Sequence, residues 1–196
     1  MGLVFVWVFF AIFAHNGFLS MHGVKSYLQV SSEIGILAVG VALLMIAGEF
    51  DLSVGSLIGF SSMSMTILTV EANMSIPLAS SCALLLTIFV GYCNGITVVK
   101  SGLPSFIITL GSLFIVRGLT IAVSKIITGR TQLGGITDSS GYGVMSSLFS
   151  SNLTISGVDF PISILWWILF VIVGYFLLNH TQIGNWIFAT GASKES

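Results

Sequence analysis

Charged side chains are scarce in this chain. Only 7% of its 196 residues are Asp, Glu, Lys or Arg, whereas 55% are hydrophobic and the mean hydropathy is +1.06. An ordinary soluble domain carries about 25% charged residues, so these charges are too few to cover a water-facing surface of this size. The net charge of −1 and the lack of polybasic runs indicate neither nucleic acid nor anionic lipid as a partner. We therefore expect most of the chain to lie in a lipid bilayer.

Enzyme signatures are also missing. The chain has no His-Glu-x-x-His metal pair, no Gly-x-Ser-x-Gly nucleophile elbow and no Gly-x4-Gly-Lys-Ser/Thr phosphate loop. His15, His22 and His180 lie near the ends of apolar runs, as interfacial polar residues commonly do. We therefore expect no metal, no cofactor and no catalytic residue, and any ATP that drives the protein must be bound by a separate subunit.

Cysteine is rare as well. Cys82 and Cys93 are eleven residues apart, which on one helix is about 16 Å along the axis. They cannot form a disulfide with each other, and small buried thiols are the expected state. The apolar start, Met1–Ala14, lacks the basic region of a signal peptide and is interpreted as part of a first membrane span.

Apolar runs make up most of the sequence. A membrane-spanning helix takes about 20 residues, and cutting the chain at its charges leaves about six spans that do not alternate like strands. The predicted fold is an all-α, polytopic membrane helix bundle, a single transmembrane domain over residues 1–196. The spans are Leu3–Met21, Glu33–Gly48, Leu52–Val70, Ile76–Val99, Ser105–Ser124 and Ile162–Leu178.

One long polar stretch separates the last two spans. Lys125–Pro161 is rich in glycine and serine and predicts an extramembrane loop, in which Val144–Leu153 suits a short interfacial helix. Positive charges do not decide the orientation. Lys100 and Lys194 fall on one side of the membrane, against Lys25, Lys125 and Arg130 on the other.

Glu49 and Asp51 are two carboxylates between apolar spans, where acids need partners or water. The simpler interpretation is a tight turn at a membrane face, with Gly48 ending one helix and Asp51 or Ser53 capping the next. The functional interpretation is a helix break below the membrane surface, as in transporters with discontinuous helices. Both interpretations give Asp51 a structural role in the first place.

Small and polar residues within the spans suggest helix packing. Gly55 with Gly59 and Gly91 with Gly95 are small-xxx-small pairs, expected to pack helices inside one subunit. For Asn94 an interhelical hydrogen bond is expected. Arg117 is expected to snorkel toward an interface or to pair with an acid.

Two stretches resemble the permease subunits of bacterial ABC importers of the ribose, xylose and galactose type. The first is similar to the family's Gly-Gly-x-Asp-Leu-Ser-Val-Gly-Ser signature, with Glu49 where a second glycine is usual, and is carried by Gly48, Asp51, Leu52, Ser53 and Gly55. The second is similar to its Asn-Gly, Leu-Pro-x-Phe-Ile-x-Thr-Leu-Gly and Arg-Gly elements. It is carried by Asn94, Gly95, Pro104, Phe106, Thr109, Gly111, Arg117 and Gly118.

The C-terminal stretch 181–196 resembles the start of that family's cytoplasmic loop, whose short helix docks on the ATPase. Asn185 stands where an arginine is common. The resemblance assigns coupling to the ATPase to Gly184, Asn185, Ala189, Gly191, Ala192 and Ser193. Family members are longer, with further spans after this loop, so a C-terminally truncated, incomplete permease domain is expected.

The resemblance implies a transport subunit that does no chemistry. Its expected partners are an ABC ATPase subunit, a second permease subunit in a homo- or heterodimer, an extracytoplasmic substrate-binding protein, a small sugar and the lipid bilayer. The implied location is the cytoplasmic (inner) membrane, with both ends of the chain in the cytoplasm and 125–161 outside it. A tight sugar site is not expected in the permease itself.

Three alternatives stay open from the residues alone. A secondary transporter or channel would use Glu49, Asp51 and Arg117 as ion or proton sites. A membrane-embedded enzyme would need a nucleophile and a base that no arrangement here suggests. A fragment without independent activity is the third.

Overall fold

The computed structural model describes residues 1–192 of the chain. The regular secondary structure of these residues is helical except for one short hairpin. In chain order the elements are α1 (Gly2–Phe13), α2 (His15–Phe18), α3 (Met21–Ile46), α4 (Val54–Val70), α5 (Ile76–Ser101), α6 (Ser105–Thr128), α7 (Tyr142–Phe149), β1 (Asn152–Ile155), β2 (Val158–Pro161), α8 (Ser163–His180) and α9 (Gln182–Ala192).

Within residues 1–192, four helices are long and apolar enough to cross a membrane, namely α3, α5, α6 and α8, while α1 and α4 are shorter apolar helices. The predicted helical membrane fold is confirmed. The helix α7 occupies most of the segment that suited an interfacial helix. The antiparallel pair β1–β2 was not predicted.

The first predicted span is wrong as a continuous helix. It ends at Phe13, and Ser20 starts a new helix because its Oγ accepts a hydrogen bond from the Gly23 N–H at 3.1 Å. The second span begins at Met21 instead of Glu33. Lys and Glu are good helix formers, so the charges that were used to cut the sequence do not interrupt the helix.

The chain forms two compact units. One comprises Met1–Leu43 with Ser147–Ile187, and the other comprises Leu44–Ser146 with residues 188–192. Both cysteines are free thiols, as predicted, but neither is buried: Cys82 is half-buried and Cys93 is exposed.

In the first unit, α3 packs on α8 through small residues. The hydroxyls of Ser32 and Ser163 share a hydrogen bond of 2.8 Å. A Cβ built on Gly174 would lie 2.8 Å from Val39 Cγ1, and one built on Gly35 would collide with the Trp167 indole. The absence of side chains at these glycines is what allows the close approach.

In the second unit, α4 packs on both α5 and α6, and α5 contacts α6. The buried apolar side chains at this centre are small: Ile76, Ala79, Ala83 and Val116. Threonine and serine hydroxyls are buried beside them, whereas large side chains such as Leu85 and Phe89 point outward. This distribution suits a helix group whose outer surface contacts lipid.

Substitution of Gly35 by Ala is expected to destabilise the first unit by about 1–3 kcal/mol, because the new methyl overlaps the rigid Trp167 indole. The measurement is thermal unfolding of the purified protein in detergent. The matched control on the same helix is Gly40→Ala, which has no neighbouring atom within 4 Å and should leave stability unchanged or slightly raised. Equal melting temperatures for the two variants would contradict this packing.

Candidate functional site

The connection between α3 and α4 begins with a helix end set by Gly48. Its φ of +76° is the left-handed conformation that glycine adopts freely. The Gly48 N–H bonds to the Met45 carbonyl at 3.0 Å, and the Glu49 N–H bonds to the Leu44 carbonyl at 3.1 Å. This pair of bonds is a Schellman motif, so the prediction that Gly48 ends a helix is confirmed.

Two hydroxyls of α6 hold the next part of the connection. The Phe50 N–H donates to Ser105 Oγ at 3.0 Å, and the Leu52 N–H donates to Thr109 Oγ1 at 3.1 Å. Thr109 in turn donates to the Ser105 carbonyl at 2.8 Å, which fixes its rotamer. Ser105 and Thr109 are buried, and through them the backbone of residues 50–52 is bonded to the first two turns of α6.

Asp51 and Asn94 hold Ser53 from two sides. Asp51 Oδ1 accepts from the Ser53 N–H at 2.7 Å and from the Ser53 hydroxyl at 2.5 Å. The Asn94 Nδ2 of α5 donates to Ser53 Oγ at 3.1 Å, so the predicted interhelical bond of Asn94 is confirmed. Ser53 is 0% exposed and directly precedes α4. Its N–H and hydroxyl donate to the Asp51 carboxylate, as in an Asx turn.

The connection is recessed relative to the end of α5. Asn94, which reaches Ser53, lies seven residues before the last helical residue Ser101, or about 10 Å along the helix axis. The helix α4 has only 17 residues, because its first turn starts at this recessed level. The connection therefore lies inside the end of α5 and level with the first turns of α6, which begins at Ser105.

A cavity of about 200 Å³ opens beside the connection. Carboxylates from the connection, the amide of α5 and the hydroxyls of α6 line it together with apolar side chains. Its lining residues are Leu44, Glu49, Phe50, Asp51, Gly91, Asn94, Gly95, Val98, Val99, Ser105 and Thr109. A few polar side chains on one wall of an otherwise apolar cavity can hydrogen-bond a small polar molecule.

Arg117 lies elsewhere. It lines a separate cavity of about 470 Å³ with Gly55, Ser56 and Gly59 of α4. Glu49, Asp51 and Arg117 therefore do not share a cavity, which disfavours the single ion site of the secondary transporter alternative. Arg117 is also eleven residues from the end of α6 at Thr128, about 16 Å along the helix axis. Its snorkelling toward a membrane interface stays a prediction.

The glycine pairs do not pack helices together in the described chain. A Cβ built on Gly55, Gly59, Gly91 or Gly95 meets no atom within 4 Å, and the same holds for Gly111 and Gly118. The expectation of close packing inside one subunit is wrong for residues 1–192, because these faces line cavities or open outward. Among the remaining signature residues, Pro104 precedes α6 at its cap position and Leu52 and Phe106 are exposed.

The predicted coupling segment is a helix, α9. A Cβ on Gly191 would collide with the Ile46 carbonyl oxygen at the end of α3. Gly184 likewise leaves no room for a side chain, here against the Leu178 carbonyl, while Asn185, Ala189 and Ala192 are exposed. Ser193 lies outside the described residues.

No metal centre is formed by the described part of the chain. Within residues 1–192, no three His, Cys, Asp or Glu side chains are arranged to hold an ion.

Sequence comparison identifies the family to which this helical architecture belongs. Residues 23–196 match the family described as "Branched-chain amino acid transport system / permease component". The chain belongs to this permease family. Together with its apolar helices, the membership makes it part of a multi-pass membrane protein. No solved structure matches the chain significantly.

Curated relatives of the permease chain are named as import or transport permeases. The ribose import permease protein RbsC of Escherichia coli K12 is 28% identical over 183 residues, 90% of this chain and 52% of that protein. The fructose import permease protein FrcC of Rhizobium meliloti is 28% identical over 194 residues, 99% and 52% of the two chains. The xylose transport system permease protein XylH of E. coli K12 is 32% identical over 123 residues, 63% and 31%. The chain thus spans about half the length of RbsC and FrcC.

Ser105 was missed as a functional position in the permease sequence. Its hydroxyl oxygen accepts a hydrogen bond from the Phe50 N–H. The position was missed because a serine at the start of a helix is usually interpreted as a helix cap. The signal that would have found it is the pair Ser105 and Thr109, spaced four residues apart and therefore on one helix face. Two hydroxyls on one face at the start of an apolar helix suit an anchor for a neighbouring backbone.

Asp51→Ala is expected to lower the folded yield of the permease, because the Ser53 N–H and hydroxyl lose their acceptor at a buried position. An unsatisfied buried group costs about 1–3 kcal/mol. Asp51→Asn keeps an oxygen at Oδ1 and is the matched control. The measurement is the yield of monodisperse protein by gel filtration. An Asp51→Ala protein that is recovered folded at the wild-type yield would contradict the structural role.

Proposed function

We propose that the chain is part of the permease subunit of an ATP-driven ABC importer that moves a monosaccharide or similar small polar solute across the cytoplasmic membrane. The observation that carries the proposal is the family match over residues 23–196. The family description names branched-chain amino acids, whereas the relatives are named for ribose, fructose and xylose. The relatives' names favour a sugar.

The permease does no chemistry in this proposal. A separate ATPase subunit binds and hydrolyses ATP, a second permease subunit completes the pathway, and a substrate-binding protein delivers the sugar from outside. Both ends of the chain are assigned to the cytoplasm, with the segment between α6 and α8 on the outer side. The recessed connection at Gly48–Ser53 then opens toward the cytoplasmic end of the pathway, since it lies at the same end of α5 as Lys100.

Coupling runs through α9. The ATPase would dock on the exposed side of this helix, which presents Asn185 and Ala189. At its far end Gly191 lies against the Ile46 carbonyl, two residues before Gly48. A displacement of α9 therefore acts on the end of α3 without a flexible side chain between them. The connection that follows is bonded to α5 and α6, so the displacement reaches all three helices and shifts the balance of their two arrangements.

The full-length gene product is expected to co-purify with its ATPase and to import a sugar into proteoliposomes only when ATP and the substrate-binding protein are supplied. Deletion of residues 184–196 should abolish ATPase binding, because it removes the docking surface, while membrane insertion is retained. The measurements are co-purification, membrane fractionation and uptake of radiolabelled ribose, xylose, fructose and leucine.

Transport of any solute without ATP by a protein that binds no ATPase would contradict the importer. ATP-driven uptake of leucine alone would retain the ABC mechanism and overturn the assignment of a sugar.

Gly191→Ala is expected to uncouple ATP hydrolysis from transport. The new methyl group overlaps the Ile46 carbonyl oxygen. This oxygen belongs to the backbone of α3 and cannot move aside by itself, so α9 must shift away from α3. The ATPase should still co-purify, while sugar uptake per ATP hydrolysed falls on the order of tenfold. The measurement is the ratio of uptake to phosphate release in proteoliposomes.

Gly40→Ala on α3 is the control, since it makes the same chemical change in open space. If the wild type couples ATP hydrolysis to uptake and Gly191→Ala does so equally well, the contact between Gly191 and Ile46 is not the route of coupling.

A further inference from the structure

A polar pocket lies at the opposite end of α4 from the recessed connection. The end of α4 and the turn that follows form one wall, with Thr69, Val70, Asn73 and Met74. The loop after α6 forms the other, with Gly135, Asp138, Ser139 and Ser140. The volume is about 340 Å³, within the range of about 300–1,000 Å³ that small-molecule sites occupy.

Backbone contacts fix both walls. The Ile76 N–H at the start of α5 donates to the Ser140 carbonyl at 2.9 Å. Gly141, at φ +85°, lies so close to Pro77 that a Cβ would be 2.6 Å from its Cδ. The Met74 N–H bonds back to the Leu68 carbonyl at 3.1 Å, which closes the turn after α4. The loop is therefore held against the helix ends, and the pocket has a defined shape.

The Thr69 hydroxyl is the unusual group in this pocket. Thr69 is only 3% exposed, and its Oγ1 has no hydrogen-bond partner within the described residues. Thr66, one turn earlier, donates to the Ser62 carbonyl at 2.9 Å in the usual way. Buried hydroxyls are almost always satisfied, because a missing partner is destabilising. Thr69 therefore indicates a partner outside the described residues.

The other polar side chains of the pocket are also available. Those of Asn73, Asp138, Ser139 and Ser140 make no hydrogen bond to another described residue. With Thr69 they offer hydroxyl, amide and carboxylate groups around one space. Asn73 is held in the left-handed region, at φ +52°, which asparagine tolerates better than most residues.

This chemistry suits a neutral polyhydroxyl ligand. A sugar presents several hydroxyls, each able to donate to a carboxylate or amide oxygen and to accept from a hydroxyl or amide N–H. A divalent cation such as Ca²⁺ takes six to eight oxygen ligands, and this pocket supplies one carboxylate in a volume much larger than an ion. An apolar ligand would leave the buried Thr69 hydroxyl without a partner.

We propose that this pocket is a low-affinity entry subsite that receives a monosaccharide on the outer side of the membrane. The Thr69 hydroxyl and the Asp138 carboxylate contact sugar hydroxyls there. The proposal rests on the proposed function, since it assigns the outer side and the sugar from it. It adds a binding site within the permease itself, where the sequence suggested none.

The test is equilibrium binding of radiolabelled D-ribose, D-xylose and D-fructose to the full-length permease in nanodiscs, without the substrate-binding protein. Wild type should bind one of these sugars in the millimolar range. Thr69→Val and Asp138→Asn should each weaken binding about five- to tenfold, the loss expected for one hydrogen bond. Thr69→Val removes a hydroxyl without a protein partner, so its melting temperature should not fall.

Thr66→Val is the matched control, because it removes a hydroxyl from the same helix outside the pocket, and its sugar affinity should equal that of wild type. The subsite is overturned by absence of saturable binding of all three sugars, by equal binding in Thr69→Val, or by saturable ⁴⁵Ca²⁺ binding that Asp138→Asn abolishes. ATP-driven uptake by wild type is measured in parallel. If uptake is observed together with any of these outcomes, the subsite alone is refuted. If the wild type shows no ATP-driven uptake, the proposed importer is refuted.

Discussion

The hydrogen bonds from residues 50–53 to side chains are the constraint on which the second unit depends. Inside a bilayer, backbone N–H groups that leave a helix must find partners within the protein, because the hydrocarbon region supplies none. Here the hydroxyls of Ser105 and Thr109 and the carboxylate of Asp51 take this role. The N–H groups of Phe50, Leu52 and Ser53 therefore have partners within the protein, and the position of the connection between α3 and α4 is fixed against α6.

This anchoring determines how the helices are arranged. Because Asn94 reaches Ser53 well inside the end of α5, α4 starts at a recessed level and is shorter than its neighbours. The space left beside the recessed connection is the cavity lined by Asp51, Asn94 and Thr109. Small side chains such as Ala79 and Ala83 keep the first half of α5 close to its neighbours. At the cavity, in the second half of α5, a Cβ built on Gly91 or Gly95 meets no atom within 4 Å.

The helical membrane fold and most helix boundaries were predictable, since long apolar runs allow few other structures. The errors have specific causes. Lys25 and Glu33 were taken as boundaries although charged residues leave helical hydrogen bonding intact, and α3 runs through both. The partners of Phe50 and Leu52 lie 55 and 57 residues away, and no local pattern reports such a contact. The glycine pairs identify faces without side chains, but a sequence does not tell what lies opposite them.

The two ends of the α4, α5 and α6 group carry different kinds of contact, and this asymmetry bears on transport. At the recessed end the contacts are short bonds between buried groups, and Gly191 of α9 lies directly against the Ile46 carbonyl just before them. Backbone contacts without intervening side chains transmit displacement with little loss, since packed interfaces adopt discrete arrangements instead of deforming continuously. At the other end the Thr69 hydroxyl and the Asp138 carboxylate have no protein partner among the described residues. In the proposed importer, the stiff end receives force from the ATPase and the polar end binds solute. A gated pathway requires both, because a ligand shifts an equilibrium only through contacts that differ between its states.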